Sequence, residues 1–184
     1  MRFGDHADVE LDDIDLRILA VLQEDCRTSL ARIGEVVGLS APSVLERIKK
    51  LEAAGVITGY RALLDARRLG LDITAFIGVI VSHPNLIADF EKRVVSLADV
   101  LESHHVTGEY TLLLKVKTEN TSSLERLISR IRSLEGVART ETMVVLSTHT
   151  ERVQLPLHPA AEPATPPAKR TRRNGERTAH AGRG

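Results

Sequence analysis

The stretch SAPSVLERIKK, Ser40 to Lys50, brings together Ser43, Glu46, Arg47, Lys49 and Lys50. A hydroxyl, a carboxylate and three cations make a set of hydrogen-bond donors and acceptors. At about 100° per residue on a helix, Val44, Ile48 and Leu51 gather on one side. Pro42, Glu46, Lys49 and Ala53 lie opposite, flanked by Ser43, Arg47 and Lys50. Such a face can lie in the major groove of duplex DNA. Ala41, Pro42, Ser43 and Glu46 would then stand at the end that meets base edges, Arg47, Lys49 and Lys50 would reach bases or phosphates, and Ser40 at the helix start is a further DNA-contact candidate. Glu46 can accept from cytosine or orient a neighbouring cation. A plain solvated face has the same composition, so the stretch by itself leaves both readings open. Arg27, Thr28 and Ser29 form a second candidate group. They precede a helix start, where free backbone N–H groups hold phosphates, and simple capping is the competing reading.

Other chemistry is sparse. His104 and His105 are adjacent on a strand and point to opposite faces, so they cannot grip one metal together. Cys26 is the only cysteine, which excludes an intrachain disulfide and a cysteine-based zinc site and fits a reducing cytoplasm. No Ser/His/Asp triad, phosphate loop or zinc spacing is present, so the chain does not read as a conventional enzyme and implies no cofactor. Aromatics are 3% of residues and Trp is absent, too few rings for an RNA-stacking platform. The opening MRFGDHADVE is acidic and is not a signal-peptide pattern. No apolar run approaches the ~20 residues that span a membrane.

The formal net charge is zero, but it is unevenly spread. From Pro156 onward six Lys/Arg (Lys169, Arg170, Arg172, Arg173, Arg177, Arg183) face two Glu (Glu162, Glu176), so the preceding part is net acidic. DNA contact by the folded part therefore needs a local patch. The cationic stretch AKRTRRNGER can add salt-dependent affinity through counterion release, or be an inert extension.

The elements that must position these groups fall into successive segments. After a flexible 1–10, residues 11–58 read as helices only. Leu11, Ile14, Ile18, Val21 and Leu22 form one stripe, with Asp12, Asp13 and Asp15 at the favourable end of the helix dipole. Thr28 or Ser29 caps a short second helix with Leu30, Ile33 and Val37 inward. Gly38 ends it, and Ser40 caps a third helix with Pro42 in its first turn. Two helices joined by a Gly-containing turn, behind a first helix, predict a helix-turn-helix. Residues 59–71 read as a linker strand or wing.

Residues 72–152 alternate strand and helix in the order β-α-β-β-α-β, a ferredoxin-like unit. The fold class is therefore α+β, a winged helix-turn-helix followed by that unit. Its first strand, ITAFIGVIVS, is apolar on both faces, which predicts a second cover, most simply another copy of the sheet in a homodimer. Thr107, Gly108 and Glu109 make a turn before the next strand, Gly108 being needed for it in any case. Residues 153–184 cannot bury enough apolar area to fold and read as a disordered basic tail.

These pieces resemble the Lrp/AsnC (feast/famine) transcriptional regulators. The matching stretches are LDDIDLRILAVLQEDCRTS, IGEVVGLSAPSVLERIKKLEAAGVITGY, HHVTGEYTLLLKV and LEGVARTETMVVLS, from about Leu11 to Arg152. The resemblance implies an N-terminal domain that binds double-stranded DNA and a C-terminal (RAM) domain that senses an amino acid. It implies homodimers that often assemble into octamers, with a small effector between dimers and Thr107, Gly108, Glu109 and Thr111 at the effector turn. The family commonly has an acidic residue where this chain has Thr111, and the basic extension lies beyond the family's usual end. Some relatives act as sirohaem decarboxylases through histidines of the same domain; the basic reading helix weighs against that here. A ligand-sensing module without DNA binding is the other alternative.

Overall fold

The computed structural model describes residues 9–157. The chain forms two compact units: one runs to Tyr60 and takes up the chain again from Val153, and the other is Arg61–Arg152. The first eight residues and the basic tail from residue 158 lie outside the described residues.

In the first unit, α1 (Asp13–Glu24) starts at Asp12, whose carboxylate accepts from the Asp15 N–H at 2.8 Å while Asp15 accepts from the Asp12 N–H at 3.4 Å. This reciprocal cap uses Asp where Glu is usual. Ser29, rather than Thr28, caps α2 (Leu30–Val37), and Ser40 caps α3 (Ala41–Ala53). Ile18, Ile33, Val37, Val44 and Ile48 form the core, with Ile14, Leu22, Leu30 and Ile57 packed around it. Each such buried side chain contributes about 1.5–3 kcal/mol before chain entropy is counted.

The turn between α2 and α3 depends on two glycines. Gly38 adopts φ 77°, a left-handed C-cap. Gly34 accepts from both the Gly38 and Leu39 N–H groups, at 2.8 and 3.0 Å. A Cβ on Gly34 would sit 2.4 Å from the Leu39 carbonyl oxygen. The close approach of the two helices is possible only without that atom.

The expected wing and linker strand do not form. Val56 and Ile57 donate back to the Leu51 carbonyl, and the backbone from Thr58 to Asp65 is irregular, with Leu63 and Leu64 exposed. A strand needs a ladder partner, and nothing among the described residues pairs with this segment. The domain is a three-helix helix-turn-helix without a paired wing.

In the second unit, β1 (Ile73–Val81), α4 (Ile87–Val95), β2 (Val100–His105), β3 (Leu112–Thr118), α5 (Thr121–Arg132) and β4 (Val137–Val144) follow the expected order. The sheet runs β2-β3-β1-β4 with every neighbouring pair antiparallel. One face carries Ala75, Ile77, Val79, Leu112, Leu114 and Val116, buried with Phe90 and Val94 of α4 and Leu124, Leu127 and Ile131 of α5. Pro84–Leu86 wind into a 3-10 turn before α4 begins at Ile87.

The pairing register puts Phe76, Gly78, Ile80, Leu113, Lys115 and Met143 on the other face. The apolar residues there are exposed or only half-buried. Gly78 is buried because the Tyr110 ring lies across it; a Cβ at Gly78 would stand 2.6 Å from that ring.

Candidate nucleic-acid interface and effector turn

α3 turns Pro42, Glu46, Lys49 and Lys50 outward, all exposed, while Ala41 and Ser43 are half-buried at its start. The Ser43 hydroxyl shares a hydrogen with the exposed Ser40 hydroxyl at 2.9 Å. Among the described residues, Glu46, Lys49 and Lys50 enter no ion pair. Their charges remain available to a partner outside the chain.

Arg47 departs from the expected face. One guanidinium nitrogen donates to Asp12 Oδ2 and to Asp15 Oδ1, each at 2.7 Å. Asp15 is 4% exposed, so the carboxylate end of that pair is shielded from water while the guanidinium is partly exposed. The Asp15 N–H, then the Arg47 guanidinium, hold the Asp12 carboxyl below the ordinary carboxylate range. Arg47 therefore ties α3 to the cap of α1 and is not a free groove contact. Sequence signals for this existed: Arg47 lies about 65° from the centre of the buried stripe, against more than about 130° for Glu46 and Lys49. The acidic cap on α1 supplied the partners.

At the start of α2, the Ser29 hydroxyl accepts from the Arg32 N–H at 3.3 Å. The Arg27 and Thr28 N–H groups are taken by the Asp25 side chain and carbonyl, at 2.8 and 3.1 Å. The Arg27 side chain is exposed and Thr28 is half-buried. Capping thus accounts for Ser29, and the Arg27 guanidinium is left as the group facing outward.

In the second unit, Thr107, Gly108 and Glu109 are exposed at the hairpin, and Gly108 takes φ 116°, which a side chain rarely tolerates. Glu109 stands 3.9 Å from Arg139 of β4, which pairs with Glu141 at 3.1 Å. Thr111 differs from its neighbours. Its hydroxyl accepts from the Val81 N–H at 3.1 Å and its own N–H donates to the Val79 carbonyl at 2.9 Å. The side chain substitutes for a ladder carbonyl where the β1–β4 register shifts between Ile80 and Val81. Thr111 thus builds the turn from behind. Partial burial, then the Glu141 carboxylate, push the Tyr110 phenol up. Sequence reading missed Tyr110; its signal was a glycine interrupting an apolar strand.

A polar cleft of about 400 Å³ lies elsewhere in this unit, between Asp65, Arg67 and Asp72 of the linker and Thr74, Lys117 and Glu151. None of the turn residues lines it. On the half-open sheet face, Lys115 pairs with Glu151 and with Glu102 at 3.2 Å, and Glu102 also meets His104 at 3.1 Å. Among the described residues no His/Cys/Asp/Glu group is arranged to hold a metal ion, and no helix is long and apolar enough to cross a membrane.

An AsnC-type helix-turn-helix domain matches residues 11–52, and an Lrp/AsnC ligand binding domain matches residues 74–155. The HTH-type transcriptional regulator FL11 of Pyrococcus abyssi is 36% identical over 149 residues, covering 81% of this chain and 98% of its own length. The chain belongs to the Lrp/AsnC family of transcriptional regulators. A second relative of this Lrp/AsnC regulator, the leucine-responsive regulatory protein of Rhizobium meliloti, is 44% identical over 142 residues, or 75% of this chain and 90% of the relative. Its fold is that of a Neisseria meningitidis transcriptional regulator solved with L-Met, at TM-score 0.76 and 32% identity, covering 79% of this chain and 96% of that one. Escherichia coli AsnC superposes at TM-score 0.74 with 30% identity, over 78% and 97%. The expected family and regulatory function are met, and so is the fold class apart from the wing. The Lrp/AsnC regulator has a helix-turn-helix DNA-binding domain and a ligand-binding domain.

Proposed function

We propose that this regulator reads its operator with the outward face of α3. Ala41, Pro42, Ser43 and Glu46 address base edges, Lys49 and Lys50 address bases or phosphates, and Ser40, Arg27, Thr28 and Ser29 lie toward the phosphate backbone. Arg47 acts indirectly, by fixing the pose of α3. The observation that carries this reading is the exposed set Glu46, Lys49 and Lys50, which has no ionic partner among the described residues, on the second helix of a helix-turn-helix. A homodimer formed over the half-open sheet face presents two such helices to half-sites one DNA turn, about 34–36 Å, or a multiple apart. Higher assemblies such as an octamer build on that dimer. The regulator acts on DNA in the cytoplasm.

The effector is a small molecule, an amino acid in the first instance, as supported by the L-Met complex of the Neisseria relative. Thr107, Gly108 and Glu109 contact it, while Thr111 positions the turn. Effector binding alters DNA affinity through a difference in effector affinity between two assembly states. The test is a mobility-shift titration on duplexes selected by the protein from random sequence. Lys49→Ala with Lys50→Ala is expected to weaken specific binding at least tenfold with the oligomer unchanged. Wild-type binding by that variant refutes the assignment of α3.

A further inference from the structure

The polar cleft of about 400 Å³ in the sheet domain is a built feature. Its floor is Thr74 of β1 and Lys117 of β3, cross-strand partners on the half-open face of the sheet. The linker, with Asp65, Arg67 and Asp72, forms one wall, and the segment from Val145 to Glu151 forms the other. Each wall is held by bonds of its own. The Val145 N–H donates to the Thr74 carbonyl at 2.9 Å, and Glu151 accepts from Lys115. On the linker side, Asp65 Oδ1 accepts from the Arg67 and Arg68 N–H groups at 3.0 and 3.4 Å, and Gly70 closes the turn at φ 77°.

Three charged groups on the lining are not engaged in this way. The Lys117 side chain is only 19% exposed, yet its ion-pair partner among the described residues, Glu151 Oε2, stands at 3.9 Å, beyond hydrogen-bond reach. The Arg67 guanidinium and the Asp72 carboxylate have no hydrogen bond or ion pair among the described residues. These open groups sum to two positive charges and one negative. Their complement is a molecule with two carboxylates and one ammonium.

We propose that this cleft is a second small-molecule site, separate from the turn at 107–111, and that it takes an α-amino dicarboxylate, the class of glutamate and aspartate. Arg67 takes one carboxylate through two parallel N–H bonds. Lys117 and the Thr74 hydroxyl take the other, and Asp72 takes the ammonium. The cleft falls within the roughly 300–1,000 Å³ usual for small-ligand sites. Its surface is mostly polar and gives little purchase to an apolar side chain such as that of methionine. The linker supplies Arg67 and Asp72 while the sheet supplies Lys117. A bound ligand therefore fastens the linker to the sheet.

The test is calorimetric titration of the full chain with L-glutamate and L-aspartate. Glutarate, L-glutamine and inorganic phosphate serve as comparisons. At least one of the two amino dicarboxylates should bind more tightly than about 1 mM. Glutarate, which lacks the ammonium, and L-glutamine, which lacks one carboxylate, should bind at least about tenfold more weakly. Arg67→Gln and Lys117→Gln should each weaken binding of the dicarboxylate by a similar factor. Asp72→Asn should weaken L-glutamate and leave glutarate unchanged or tighter. Amide exchange with the dicarboxylate bound should show protection at 64–74 and 145–151. Thermal midpoints check that the variants are folded; if Lys117→Gln is not, Arg67→Gln, at an exposed linker position, carries the test. Failure of both dicarboxylates to bind within that limit overturns the proposal. So does wild-type affinity in the folded variants, or phosphate or L-glutamine binding as tightly as the dicarboxylates. Equal affinity for glutarate overturns the role of Asp72. Protection confined to 107–111 would assign the dicarboxylate to the turn and remove the second site.

Discussion

Arg47 on α3 donates to Asp15 on α1 at 2.7 Å, and Asp15 is 4% exposed. A buried carboxylate on one helix thereby fixes the azimuth of the helix assigned to DNA. Removing Arg47 leaves that carboxylate with only the long 3.4 Å contact from the Asp12 N–H. We expect Arg47→Ala to destabilise the helix-turn-helix unit by about 1–3 kcal/mol and to weaken DNA binding in consequence. Arg47→Lys should recover only part, since an ammonium does not present the planar fork. Chemical unfolding followed alongside operator titration checks this. Lost affinity at wild-type stability would return Arg47 to the groove.

Gly34 sets how closely α2 and α3 approach. Gly34→Ala places a methyl 2.4 Å from the Leu39 carbonyl oxygen, backbone that cannot swing aside as a flexible side chain can. The expected cost is about 1–3 kcal/mol, as for overpacking, with the turn re-angled and specific binding reduced. Amide exchange should show the loss in α2 and α3 and leave the sheet domain protected. Wild-type protection throughout would refute it.

Thr111 supplies the acceptor for the Val81 N–H at 3.1 Å. Thr111→Val keeps the shape and orphans that donor, for an expected loss of about 1–2 kcal/mol in the sheet domain. Thr111→Ser should be close to wild type. If the hydroxyl instead serves the effector directly, calorimetric titration with amino acids will show Thr111→Val losing affinity at unchanged stability.

Acid should loosen the sheet domain through two carboxyls. The His104 side chain, then Lys115, hold Glu102 below its ordinary value, and Lys115 does the same to Glu151. Their contribution is present above the ordinary carboxyl pKa of about 4 and is lost as pH falls through the lower folded values. Lys115 is raised, first by the Glu151 bond, so its share is present below about 10.4 and is lost as pH rises through the higher folded value. Denaturant midpoints measured from about pH 3 to 7 should decline toward acid. In Glu151→Gln the decline should be flatter, and an unaltered profile would dismiss the pair.

Much of this architecture was legible in the sequence because its signals are local. Ser29 and Ser40 cap where capping chemistry places them, Gly38 takes the left-handed C-cap, and the stripes of Leu30, Ile33 and Val37 and of Val44, Ile48 and Leu51 face inward. What was not legible depends on partners distant in the chain. Arg47 reads as one more cation until Asp12 and Asp15, over thirty residues away, come beside it. Gly34 looks like a tolerated helix glycine until Leu39 turns back over it. Tyr110 on Gly78 and Thr111 on Val81 are likewise cross-strand relations. The linker at Val56–Asp65 has the apolar content of a strand, but strand formation needs a neighbour that the pattern cannot supply.

The commitment of Arg47 divides the labour along α3. Structural duty falls on Val44, Arg47, Ile48 and Leu51, while Pro42, Glu46, Lys49 and Lys50 carry almost none of it. A protein engineer could therefore treat the exposed positions as a replaceable cartridge. Libraries varied at Glu46, Lys49 and Lys50 alone should yield mostly folded members with new operator preferences, whereas libraries that include Arg47 should be filtered by folding before any preference is expressed.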